Sequence, residues 1–272
     1  IKERQGDFDS VLRISQQLFE ENNSSENLKE LIKILVKLKL FDEIEKYKSS
    51  EFFNTEVKIE CANAFYSNGE VQKAKELLAD CDENDEQVLL LKGKIKFDEK
   101  NLDEAKEIFS SIGRNSQNPE VLNFLGLFDL ENMDFIEAIK NFSKATNLDK
   151  SNSKYFYNLA NAYFYNGWIE EAQKAYAKAL YLNPDNLDYR YSLAYLYFDK
   201  KDFPKAKKEI DAILDINSEY SQARVLRALL LAQNKDFLGA KKILEDNIKH
   251  GFDDDFTKMS LAKIYTELNI FD

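Results

Sequence analysis

A single histidine, two cysteines and one acidic run are the side chains most suited to chemistry in this 272-residue sequence. None of them arrives with the companions that chemistry requires. His250 precedes Gly251 at the end of an apolar-periodic segment, where an imidazole faces the negative end of a helix dipole. The run Asp80-Cys81-Asp82-Glu83-Asn84-Asp85-Glu86 alternates oxygen ligands in the manner of a calcium loop. Its sixth place holds Asp85, where such a loop needs glycine, and its twelfth holds Leu91 rather than Glu. It reads instead as an acidic loop that caps the following helix. The eight glycines are scattered, with no phosphate-cradling cluster, and no Cys/His spacing suits a metal. Catalysis needs converging acids, bases, nucleophiles or ligands. No catalytic residue, metal or cofactor is expected, and the chain reads as a non-enzyme.

Charge and cysteine usage narrow the partners. Lys and Arg number 38 against 49 Asp and Glu, a net charge of −11, with a pI near 4.9. That balance opposes nucleic acid, whose phosphates need clustered cations. Lys29, Lys33 and Lys37 do form a basic stripe at four-residue spacing. A solvated helix face is the plain reading, and a seat for an acidic partner segment the sharper one. Cys61 and Cys81 fit packing positions, and as core thiols they lean towards a reducing, cytoplasmic setting. Paired as a disulfide, they would imply an oxidising one. No apolar run approaches the ~18 residues of a membrane span.

The elements that must position any binding site are announced by a period. Phe8, Phe41, Val71, Leu102, Phe135, Ile169, Phe203, Phe237 and Phe271 recur at intervals of 33, 30, 31, 33, 34, 34, 34 and 34 residues. Three residues after the first eight stand Val11, Ile44, Ala74, Ala105, Ala138, Ala172, Ala206 and Ala240. Such a period marks stacked supersecondary units, each touching mainly its neighbours. Within 153–186, Phe156, Leu159, Ala160 and Tyr163 form one helical stripe, and Ile169, Ala172, Tyr176 and Ala179 another. Gly167-Trp168 is the turn between them, and Pro184 stops the second helix. No strand-like alternation competes, so the fold class is all-α. The intervals of 30 and 31 predict a shortened second helix or exit loop near Ser49–Asn54 and Cys81–Asp85.

The run from Tyr155 to Asn186 resembles the tetratricopeptide repeat, a 34-residue helix–turn–helix unit. Its signature is met by Phe156, Leu159, Ala160, Tyr163, Gly167, Ala172, Tyr176, Ala179 and Pro184. Leu193, Ala194, Tyr197, Ala206 and Ile210 match in the next unit, and Leu122, Leu125, Gly126, Ala138, Phe142 and Ala145 in the preceding one. The resemblance implies a right-handed superhelical solenoid of tetratricopeptide-like repeats. Its units would be 25–54, 55–85, 86–118, 119–152, 153–186, 187–220 and 221–254, with half repeats at 1–24 and 255–272. Both ends look like cuts through repeats, which predicts a longer natural protein. The implied function is a non-catalytic scaffold binding a partner protein segment in a concave groove, within a larger assembly. The AT-rich residue bias suits a bacterial secretion, motility or envelope machine. A glycan-binding groove, or the targeting arm of an enzyme whose catalytic domain lies elsewhere, are the alternatives.

In this family the second, fifth, ninth, twelfth and thirteenth places of each first helix face the groove. Carried onto this chain, they give Tyr157, Asn161, Phe164 and Tyr165, then Tyr191, Tyr195 and Phe198, with Asn123 and Leu127 from the unit before. Helical spacing independently places Tyr157, Asn161 and Phe164 on one stripe. Aromatic side chains at such places dominate binding hot spots. The carboxylate clamp by which one subtype of the family holds chaperone tails needs Lys or Arg at places that here hold Tyr157, Asp188 and Ser192. A chaperone-tail receptor is therefore not expected. Trp168, in the turn, is read either as a second contact on the solenoid edge or as folded over its neighbours.

Overall fold

Every first helix but the one that follows Tyr220 opens on a short polar side chain, and each closes on a left-handed residue. The structure, a computed structural model, describes residues 2–114 and 116–269, with side chains from residue 10 onward. The marker residue Phe271, and the side chain of Phe8, lie outside the described residues. Sixteen α-helices and no strand occur among the described residues. By contact the chain divides into two units, residues 1–116 and 117–272.

The second unit holds α8 (Pro119–Glu131), α9 (Phe135–Leu148), α10 (Ser153–Tyr165), α11 (Ile169–Leu182), α12 (Leu187–Asp199), α13 (Phe203–Ile216), α14 (Ser221–Gln233), α15 (Phe237–Lys249) and α16 (Asp255–Glu267). Asn118, Asn152 and Asn186 cap α8, α10 and α12, accepting from the backbone N–H of Glu120, Lys154 and Tyr189. Such a cap satisfies a donor that the helix itself leaves unpaired. The exits are equally uniform. Met133, Gly167, Lys201 and Lys235 have φ of 59°, 79°, 60° and 63°. Directly after them, Asp134, Trp168, Asp202 and Asp236 donate their N–H back to the carbonyls of Asp129, Tyr163, Tyr197 and Leu231 at 2.8–2.9 Å. This six-residue closure is the Schellman motif. The same residues begin the second helix, so the turn has no slack.

Alanines let the paired helices approach. Ala160, Ala172, Ala194 and Ala206 are fully buried, with Tyr176, Leu193, Leu196 and Ile210 filling the space between helices. Each large apolar side chain buried this way contributes about 1.5–3 kcal/mol. Gly126 plays the same part against Phe142. A Cβ there would stand 2.7 Å from the Phe142 ring.

The first unit holds α1 (Lys2–Glu21), α2 (Ser25–Lys37), α3 (Phe41–Glu45), α4 (Thr55–Ser67), α5 (Val71–Leu78), α6 (Glu86–Asp98) and α7 (Leu102–Ile112). Its core runs through Leu28, Leu31, Leu35, Ile44, Val57, Ala62, Phe65, Ala74 and Leu78. The shortened intervals fall on second helices: α3 has 5 residues and α5 has 8, against 14 in α9, α11 and α13. Beyond α3 the backbone continues in tight turns, Tyr47 N–H to Ile44 C=O and Ser50 N–H to Tyr47 C=O. Phe53 then drops into the core. Lys39, Gly69 and Lys100 repeat the left-handed turn, at φ of 60°, 81° and 64°.

Candidate functional site

The first helices α10 and α12 carry the aromatic stripes that their spacing dictates, and α11 packs behind them. Tyr157, Asn161, Phe164, Tyr165, Tyr191 and Tyr195 line one cavity of about 190 Å³. Tyr176 and Ser192 complete its wall. The Tyr157 ring stacks on Tyr189 at 4.7 Å between centroids, and its hydroxyl lies 3.2 Å from Ser192 Oγ. Tyr176 donates its hydroxyl to Asn161 Oδ1 at 2.6 Å, which fixes the amide from behind. Phe164 meets Tyr195 edge-on at 6.1 Å, and Tyr191 stands 6.4 Å from Tyr195. Offset and edge-to-face rings of this kind hold one another in place.

Burial sets the ionisation of the wall. It pushes the Tyr191 hydroxyl up to about 12, helped by Tyr195, Asp254 and Tyr157. It raises Tyr176 further. Burial also raises Tyr220, whose hydroxyl donates to Asp188 Oδ1 at 2.5 Å. At neutral pH these phenols keep their protons, so the wall can stack and hydrogen-bond but offers no base.

Three of the nine residues read from the sequence lie elsewhere. Asn123 is 2% exposed, and its Oδ1 accepts from Asn158 Nδ2 at 2.7 Å. That bond ties α8 to α10 and takes the amide away from any partner. Leu127 is half-buried against the cluster of Ala138, Ile139 and Phe142. Phe198 packs on Phe203 at 5.7 Å. Conversely, Tyr176 belongs to the wall although its place on a second helix marks it as packing. Only its ring hydroxyl, in a stripe otherwise of Ile169 and alanines, signals a second role. Trp168 stacks on Tyr163 at 5.9 Å, folded over its neighbour, and is 46% exposed. Tyr165, 63% exposed, stacks on Phe135 at 6.0 Å.

The other polar features resolve as structure. Lys29 is held by Glu26 at 2.6 Å and Glu56 at 2.8 Å, and Lys33 by Glu30 at 2.9 Å. The seat for an acidic partner is thereby occupied from within, by glutamates of α2 itself and by Glu56 of α4. Asp85 caps α6 through the N–H of Gln87 and Val88. His250 ends α15, its Nδ1 2.8 Å from the Asp246 carbonyl. Cys61 and Cys81 are free and buried, and burial raises both thiols, Cys61 to about 12. Among the described residues no three His, Cys, Asp or Glu side chains converge on a metal position. Nor is any helix among them long and apolar enough to cross a membrane.

The sequence model of the tetratricopeptide repeat family matches residues 157–221, the segment that carries the cavity. This segment is built of tetratricopeptide repeats. The solved structures that resemble the chain extend the fold over nearly all of it. The Cut9–Hcn1 hetero-tetramer of the APC/C superposes with a TM-score of 0.71 over 94% of this chain at 14% identity. Only 52% of that chain is matched, so this chain spans about half its length. Pseudomonas aeruginosa pilF gives a TM-score of 0.64 over 78% of this chain and 97% of its own at 18% identity. YrrB, described as a TPR protein with an unusual peptide-binding site, gives 0.52 over 66% of this chain and 94% of its own at 19% identity. At these identities the likeness is one of fold. No curated protein sequence matches the chain. The tetratricopeptide fold is in general a protein-interaction scaffold, and its family is typically non-catalytic.

Proposed function

We propose that this chain is a non-catalytic scaffold that binds a partner protein segment along the groove of α10 and α12, within a larger assembly. A bacterial secretion, motility or envelope machine is the setting its composition suits. The observation that carries the reading is the cavity itself. Six of the nine residues that the family resemblance implies converge on it, and all six lie within 157–195. An extended or helical segment laid there would bury apolar anchors against the rings, while the amides fix its register.

The test is a selection from a displayed random-peptide library, run in parallel on the wild type and on a Tyr157/Tyr191/Tyr195→Ala variant of unchanged helical circular dichroism. Peptides enriched on the wild type should lose roughly tenfold or more in affinity on the variant, since truncated aromatic hot spots typically cost about 2 kcal/mol or more. Equal binding to both would move the interface off these helices.

A further inference from the structure

We infer that the cavity between α10, α11 and α12 receives the guanidinium of an arginine carried by the partner segment, so that the groove selects basic partners. This rests on the groove reading above and adds the chemistry of the occupant.

The cavity is walled by Tyr157, Phe164, Tyr165, Tyr191 and Tyr195, with Tyr176 behind them. The face of an aromatic ring is electrostatically negative and attracts a cation, and a planar guanidinium also stacks on it. Elsewhere the protein supplies such cations itself: Lys73 Nζ lies 3.5 Å from the centroid of Phe41, and Lys205 Nζ 5.4 Å from that of Tyr197. Among the described residues no lysine or arginine lines this cavity. Its rings are a cation site for which those residues provide no cation.

Negative charge gathers at the Tyr191 end. Tyr220 stands 6.0 Å from Tyr191 and donates a hydrogen bond from its hydroxyl to the Asp188 carboxylate at 2.5 Å. Asp254, from the loop before α16, is close enough to add to the burial that keeps Tyr191 protonated. An arginine entering along the rings would therefore keep its stem on apolar surface and its head near carboxylates. Size agrees. About 190 Å³ lies below the ~300 Å³ at which small-molecule pockets begin, and suits one long side chain. An ammonium is more strongly hydrated than a guanidinium, so arginine is preferred to lysine.

The experiment is a titration of N-acetyl-arginine amide into the full chain with ¹³C-labelled tyrosine rings, beside N-acetyl-citrulline amide and N-acetyl-phenylalanine amide. Arginine amide should shift the Tyr157, Tyr191 and Tyr195 signals, with the neutral, nearly isosteric citrulline amide roughly tenfold weaker. The shifts should survive about 0.5 M NaCl, which would screen an exposed ion pair. Tyr195→Leu should abolish them and Tyr195→Phe keep them, which separates the ring from its hydroxyl and from any loss of fold. Equal response to arginine and citrulline overturns the inference. Binding of the phenylalanine amide alone also overturns it, while leaving the groove as a binding face with a neutral occupant. Silence from all three probes overturns it as well, and the peptide selection then judges the groove independently.

Discussion

Lys39, Lys100, Met133, Lys201, Lys235 and Asn269 hold a left-handed backbone that Gly69 and Gly167 hold in two of the same turns. For a residue with a Cβ that conformation costs roughly 1–2 kcal/mol, and glycine escapes the cost. Lys201→Gly should therefore stabilise the protein by about 0.5–1 kcal/mol, the gain being trimmed by the greater freedom glycine gives the unfolded chain. The converse substitution, Gly167→Ala, meets open space around its new methyl group. Its penalty is thus the backbone cost less the same unfolded-chain offset, about 0.5–1 kcal/mol. Urea unfolding midpoints of both variants check the pair, and a destabilised Lys201→Gly would refute the argument. The glycine at 167 is legible in the sequence as a turn. The lysines are not, because a charged side chain carries no mark of the left-handed backbone beneath it.

At the scale of the helix pair, one position on the first helix is matched to one on the second. Gly93 faces Phe109 and Gly126 faces Phe142, and a methyl group would stand 2.9 Å and 2.7 Å from the respective rings. Where the second helix offers Ile210 or Leu244, the first carries Ala194 or Ala228. Gly126→Ala should cost about 1–3 kcal/mol by overpacking, more than the ~1 kcal/mol alanine gains in helix propensity. Phe142→Leu should restore room, so the double variant should be more stable than the sum of the two single changes, by a coupling of about 1 kcal/mol or more. Additive effects in that cycle would show that ring and backbone do not meet. The helices themselves were readable from stripes of Leu, Ala and Phe at helical spacing, and the two short second helices from the intervals of 30 and 31. Asn123 stands outside the cavity for a reason particular to this pair of repeats. Its register faces the groove, but Asn158 on the next first helix claims it at 2.7 Å. Register alone does not show which neighbour reaches a side chain first.

Over the whole molecule, burial of phenols ties stability to alkaline pH. Tyr155 and Tyr191 are pushed up to about 12 and Tyr176 and Tyr220 higher, chiefly by burial, from an ordinary value of 10.0. Since the unfolded chain would ionise first, this contribution is complete below about pH 10 and is lost progressively as pH rises above it, that of Tyr155 and Tyr191 by about pH 12. Tyrosinate absorbance of the native protein should show part of its 14 tyrosines titrating late. The urea midpoint should fall between about pH 8 and pH 11. Simultaneous ionisation of all tyrosines near 10 in the folded protein would contradict the burial described. The all-helical repeat class was readable from periodicity because each repeat restates the same stripe. The cavity was legible only in outline. The family resemblance implies six of its residues, whereas Tyr176 and Ser192 join through packing depth, which one sequence does not print.

Asn118, Asn152 and Asn186 each sit at the last place of one unit and cap the first helix of the next, while every turn closes on backbone groups of its own unit. A stretch such as 153–186 could thus be duplicated or deleted in frame, and each junction would still present an asparagine to the helix that follows. Lengthening or shortening the array by whole units at these three asparagine junctions orphans no helix start, so gene duplication can change its reach there without first inventing a new junction.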